Sequence, residues 1–194
     1  MSALALFSAN RLSPLRIVYP PQIFKRKQLL RLKTDIFWKI ESGVVRSLTW
    51  DEEGRMMTLG FWGQGDVLGS PLSRMKPYQL ECLTDVVVSE LSPESSDLLE
   101  ALLIHVRKSE EFFKIVHQAC VPDRFFSLLQ WLANQCGEST SEGMLLNFHL
   151  THQNLADAIG SSRVTITRLM SQFEREGKIQ REGKFLKICD NNPL

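Results

Sequence analysis

The rhythm of apolar and polar positions changes near residue 92. Before it, residues 37–40, 43–49, 56–62 and 86–91 form short runs rich in Val, Phe, Trp, Leu and Thr, separated by ESG, WDEEG and WGQGD. Short strands with regular turns predict a small barrel or jelly roll. Residues 51–54 suit a hairpin loop in which Gly54 takes a positive φ. Gly60, Gly63, Gly65 and Gly69 crowd ten positions with no helical pattern directly after them. They read as barrel corners rather than as a phosphate cradle.

After residue 92 the spacing is helical. Ser92-Pro93-Glu94 suits a helix start, with proline at the first helical position and an acid in the first turn. Phe112, Ile115, Val116 and Ala119 then recur at i, i+3, i+4, i+7 and give a second helix an apolar stripe. That stripe either packs on its own domain or forms a seam with a second copy. Val121-Pro122-Asp123 interrupts the pattern, because proline cannot continue a helical ladder but can open the next helix. This places a hinge there and divides the chain into residues 1–120 and 121–194. Beyond the hinge, Phe125, Phe126, Leu128, Leu129, Trp131 and Leu132 mark a strongly apolar helix. Residues 135–143 read as a polar loop and 144–150 as a strand.

Residues 151–188 are the most informative. Thr151 can cap a helix that turns Leu155, Ala156 and Ile159 inward, and Gly160 can end it in the left-handed conformation. Ser161 and Ser162 can cap a second helix that begins at Arg163. Two short helices joined by a tight glycine turn make a helix-turn-helix unit. In the second helix Ile166, Leu169, Met170 and Phe173 share the inward face. Ser162, Arg163, Val164, Thr167 and Arg168 are left outward near its start, the end of a recognition helix that meets base edges. An arginine fork matches guanine O6 and N7, valine suits a thymine methyl, and hydroxyls at a helix start suit phosphates. Residues 178–180 and 185–188, joined by an EGK turn, complete a hairpin wing.

Charge sharpens this picture. The net charge of +1 hides a segregation: residues 1–40 carry 8 Lys and Arg against 1 Asp, residues 41–137 carry 8 against 14 acids, and residues 138–194 carry 7 of each. Within the last third, positions 151–188 hold all 7 basic residues and 4 acids, a modest footprint for a polyanion. The 194 residues, 43% hydrophobic and 23% charged, fit one large or two small folded domains. The opening apolar run is a pentad at positions 3–7, far short of a spanning helix of ~20 residues, so no membrane segment is expected. Cys82, Cys120, Cys136 and Cys189 form no CxxC pair, which argues against a zinc or redox-active site and fits a reducing cytoplasm. His105, His117, His149 and His152 are dispersed, so neither a metal centre nor an enzyme is expected.

SSRVTITRL at 161–169, preceded by LTHQNLADAIG at 150–160, resembles the Crp/Fnr family of bacterial transcription regulators, and looks closest to its cyanobacterial global nitrogen regulator branch. Upstream, ESGVVRSLTWDEEGR at 41–55 and GQGDVLG at 63–69 are similar to the central strands of that family's effector-binding jelly roll. The resemblance implies an α+β chain: an N-terminal jelly roll like a cyclic-nucleotide-binding domain, a dimerisation helix, and a C-terminal winged helix-turn-helix. It implies a homodimer on a palindromic DNA operator, and it favours the seam reading of the apolar stripe. It assigns base reading to Arg163, Val164 and Arg168, and phosphate contacts to Thr151, His152, Gln153, Ser162 and Thr165. The loop at 135–143 falls where the family touches RNA polymerase.

The effector site departs from the pattern. GDVLGSPLSRMKPYQLECLT at 65–84 has Ser70 where the cyclic-AMP receptor has a glutamate, and Lys76-Pro77 where it has Arg-Ser. A cyclic nucleotide would lose the guanidinium fork that neutralises its phosphate. Arg74 and Lys76 remain candidates for another small anionic effector, and the alternative is that both are merely solvated. A second functional reading is a ligand-binding sensor whose winged domain mediates protein contacts.

Overall fold

The computed structural model describes residues 20–141 and 143–189. Seven strands build the N-terminal part: β1 (Gln22–Phe24), β2 (Phe37–Ser42), β3 (Val45–Trp50), β4 (Met56–Trp62), β5 (Val67–Leu68), β6 (Gln79–Cys82) and β7 (Val86–Leu91). They form two antiparallel sheets, in the orders β1-β7-β2-β5 and β4-β3-β6. Between the sheets, Trp38, Ile40, Val45, Trp62, Leu68, Leu80 and Val88 are buried in one apolar cluster. This is the expected jelly roll. The turn after β3 is held by the Asp51 carboxylate, which accepts from the amides of Glu53 and Arg55, with Gly54 at φ 77°. β1, β5 and β6 are too short or too mixed to have stood out from the sequence.

Helix α1 (Ser96–Val116) follows as a single 21-residue rod. Its cap is Ser95, whose hydroxyl accepts from the Asp97 amide, and not Ser92, which lies in the preceding turn. Of the stripe expected to face a second copy, Phe112 and Ile115 are instead buried within their own chain. Phe112 meets Phe61 of β4 edge-on at 6.1 Å and Trp131 at 5.7 Å, and Ala119 lies beyond the helix. The face of α1 left in water carries Leu99, Leu103, Val106 and Phe113, each half exposed or more.

Helix α2 (Val121–Cys136) opens with Pro122 in its first turn, as proline permits. Strands β8 (Glu138–Thr140) and β9 (Gly143–Leu146) come next, so the stretch expected to be a polar loop is partly a strand. Helices α3 (His152–Ile159) and α4 (Arg163–Arg175) precede the wing, β10 (Ile179–Glu182) and β11 (Phe185–Cys189). A third antiparallel sheet runs β10-β11-β9-β8. One apolar cluster joins α2, α3 and α4 to Val44, Phe61 and Leu83 of the roll. The two parts therefore share packing across the position read as a hinge.

Candidate nucleic-acid interface

Local chemistry fixes the two helices of the site. The Thr151 hydroxyl accepts from the Asn154 amide at 3.0 Å while the Asn154 side chain accepts from the Thr151 amide at 3.0 Å, a reciprocal cap on α3. Gly160 ends α3 at φ 61°, a left-handed conformation that a Cβ would strain. The Ser162 hydroxyl then accepts from the Thr165 amide and caps α4. Ile166, Leu169, Met170 and Phe173 are buried, and the Phe173 ring stacks on Phe125 and meets Phe126 edge-on. The side of α4 facing the core is thus committed to α2, which turns the other side to water. Arg124 of α2 adds a tie, donating from Nη1 to the Ile159 carbonyl at the end of α3 at 2.7 Å.

On that outward side Arg163, Val164, Thr167 and Arg168 are exposed, Val164 to 60%. A valine so exposed beside two arginines, in the first turns of a capped helix, gives the face both apolar and fork-shaped donor contacts. Thr151, Gln153 and Ser162 are exposed as well, at the starts of the same two helices; His152 and Thr165 are half-buried. His152 Nδ1 lies 2.8 Å from Thr167 Oγ1, and that hydroxyl itself donates to the Arg163 carbonyl at 2.9 Å. The hydroxyl therefore accepts from the ring, so the imidazole carries its proton on Nδ1 and turns Nε2 away. Burial first, and then the neighbouring guanidinium groups of Arg181 and Arg163, hold His152 below the ordinary histidine value.

Sequence reasoning did not single out the wing's cations. Arg181 of β10 and Lys184 of the wing turn line an open cavity of about 640 Å³ together with His149, His152, Gln153 and Arg163. Arg181 also pairs with Glu174 of α4, which fixes the wing against the helix. Their signal was present in the charge balance of 151–188, but only the fold sets them beside α4. By contrast, Arg74 and Lys76 lie exposed on the roll, after a short 3₁₀ turn at residues 70–72, with no ion pair among the described residues. Among the described residues no group of three His, Cys, Asp or Glu side chains could hold a metal, and no helix is long and apolar enough to cross a membrane.

Comparison with known proteins agrees with this geometry. Residues 123–194 match the Crp-like helix-turn-helix domain. The chain is 39% identical over 164 residues to the regulatory protein CysR of Synechococcus elongatus, covering 83% of this chain and 80% of that one. It is 26% identical over 153 residues to the global nitrogen regulator of Nostoc, covering 78% and 63%. Its fold is similar to that of a CRP-family transcriptional regulator from Thermus thermophilus, with a TM-score of 0.73 at 23% identity over 87% of this chain and 92% of that one. A jelly roll followed by a capped helix-turn-helix and wing, with this degree of likeness to CysR, places the chain in the Crp/Fnr family of transcription regulators.

Proposed function

We propose that the protein is a cytoplasmic homodimer that binds a palindromic operator and regulates transcription without performing chemistry itself. The observation that carries this reading is the outward face of α4, where Arg163, Val164 and Arg168 stand exposed on a helix whose opposite side is buried. In the major groove the arginine forks would read guanine O6 and N7, and Val164 would contact a thymine methyl. Thr151, His152, Gln153, Ser162 and Thr165 supply phosphate contacts at the two helix starts, helped by free backbone amides and the positive ends of the helix dipoles. The DNA-reading part begins at residue 121. The segment 135–143, in which Glu138 and Ser139 of β8 are exposed, faces RNA polymerase in this reading, and Arg74 and Lys76 offer two cations to a small anionic effector.

Two copies meet through α1 in this reading. Leu99, Leu103, Val106 and Phe113 are spaced by 4, 3 and 7 positions, the seam of a two-stranded coiled coil. Half-sites would then lie about 34 Å apart, one helical turn of DNA.

The test is fluorescence anisotropy with palindromic and scrambled duplexes, the operator coming from selection out of a random pool. Tight binding to the selected duplex alone is expected. Arg163→Ala should relax discrimination at one guanine of each half-site by ~1–3 kcal/mol. Equal affinity for both duplexes would overturn the reading and favour a winged domain that contacts protein.

A further inference from the structure

Thr167 stands on the outward side of α4 beside the residues assigned to bases, yet its hydroxyl is already engaged. Its proton goes to the Arg163 carbonyl one turn back, at 2.9 Å, and its oxygen accepts from His152 Nδ1 of α3 at 2.8 Å. A threonine that bonds the carbonyl four residues earlier has its hydroxyl fixed by the helix itself. The acceptor offered to His152 therefore keeps one position, and the ring keeps one tautomer. Packing does not require an oxygen at 167, because the buried side of α4 is supplied by Ile166, Leu169, Met170 and Phe173.

The tautomer matters because of what surrounds the ring. His152 lines the open cavity between α4 and the wing together with three cations, Arg163, Arg181 and Lys184, which draw a backbone phosphate toward it. The titratable groups that face the ring are Arg163 and Glu174 of α4, Arg181 of β10, and His149 ahead of α3. With Nδ1 bonded to Thr167, the remaining polar atom of the ring is Nε2. In the neutral ring that atom carries a lone pair, which repels a phosphate oxygen. Only a ring that has gained a second proton, on Nε2, can donate to phosphate.

We propose that Thr167 is a positioning residue for the DNA backbone: by holding the His152 proton on Nδ1, it makes the phosphate contact of His152 conditional on a proton taken from water. Each recognition helix then takes up one proton at Nε2 as it closes on the duplex and returns it on release. This rests on the DNA-binding reading above and adds a chemical condition to it. Burial and the neighbouring guanidinium groups act in the same direction, keeping the ring neutral until a phosphate arrives. Without the Thr167 hydroxyl the ring is free to carry its single proton on Nε2 and to donate while neutral.

The test uses the full-length chain and two measurements. In heteronuclear NMR of the ring nitrogens at pH 8, free wild type should show His152 protonated on Nδ1 and bare on Nε2. Thr167→Val, which keeps the shape of the side chain, should move the proton to Nε2 or average the two forms, and Thr167→Ser should restore the wild-type pattern. In anisotropy with the selected duplex, wild-type affinity should rise as pH falls from 8 to 6, by at most about tenfold per pH unit for each ring. Thr167→Val should bind several-fold more tightly than wild type at pH 8 and lose most of the slope, while Thr167→Ser should keep it. In a His152→Gln background, Thr167→Val should leave the slope unchanged. A wild-type ring protonated on Nε2, or Thr167→Val with the wild-type slope, would overturn the proposal. A Thr167→Val loss that is equal at pH 8 and pH 6 and persists with His152→Gln would also overturn it, by assigning the hydroxyl to the bases. If wild type fails to discriminate selected from scrambled duplexes, the reading of α4 falls instead, and the ring spectra still decide the tautomer.

Discussion

Arg46 Nη1 lies 3.4 Å from Asp157 Oδ2, so a strand of the jelly roll is bonded to the first helix of the helix-turn-helix. The same guanidinium reaches Glu81 of β6 at 2.8 Å, and its side chain is only 3% exposed. A charge so deeply buried is tolerated because both carboxylates answer it. Gln153 adds a bond to the other oxygen of Asp157 at 2.6 Å, which links this cluster to a residue assigned to phosphate.

Arg46→Met should cost about 3–5 kcal/mol in chemical denaturation, since Asp157 is left buried without its cation. Arg46→Met/Asp157→Asn should recover part of that loss. A double variant no more stable than the single one would show that Asp157 does not depend on Arg46.

His152 gives a pH dependence with opposite signs for folding and for DNA binding. Burial and the adjacent Arg181 and Arg163 lower its pKa below the ordinary 6.5, so the unfolded chain takes up a proton at a higher pH than the folded one. Its contribution to stability is therefore lost as pH falls through 6.5 and below. A phosphate set against the ring has the reverse effect and favours the protonated form, in which Nε2 becomes a donor. Operator affinity should strengthen as pH falls from 8 to 6 while thermal stability declines. His152→Gln should flatten both trends, as read by anisotropy and by melting.

In the proposed homodimer the outer face of α1 is the seam. Leu103→Asp/Val106→Asp should weaken the dimer by at least about two orders of magnitude, because each copy loses apolar burial worth ~1.5–3 kcal/mol per side chain. Sedimentation velocity should then show a monomer that remains folded. A monomeric wild type would overturn the homodimer, and a variant still dimeric would place the seam elsewhere.

Thiol chemistry offers a check on the packing. Burial pushes Cys82 and Cys136 up to about 12, whereas Cys120 is exposed at the start of α2. A maleimide at neutral pH should label Cys120 first, and Cys82 and Cys136 only on unfolding. Mass spectrometry of the labelled peptides gives the order.

The helix-turn-helix was legible because its determinants are local. A cap at Thr151, a glycine at 160, a cap at Ser162 and the spacing of Ile166, Leu169, Met170 and Phe173 each act within one or two turns. The inward face of α1 was not legible. Phe112 and Ile115 on one side, and Leu99, Leu103 and Val106 on the other, satisfy the same helical spacing, so periodicity alone does not say which side meets the roll. Glu138–Thr140 is exposed throughout and holds its strand conformation by pairing with β9, which leaves no apolar signal to read. Arg46 and Asp157 are 111 positions apart, and nothing in either neighbourhood announces the other.

The ring sequence Phe61, Phe112, Trp131 runs from strand to helix to helix without a gap. The reading head thus has no interior wholly its own, since part of the oil that seals α2 is supplied by the roll. A displacement of β4 has to carry these rings with it one after another, and so is felt mechanically at α2 without any joint swinging freely between the two parts.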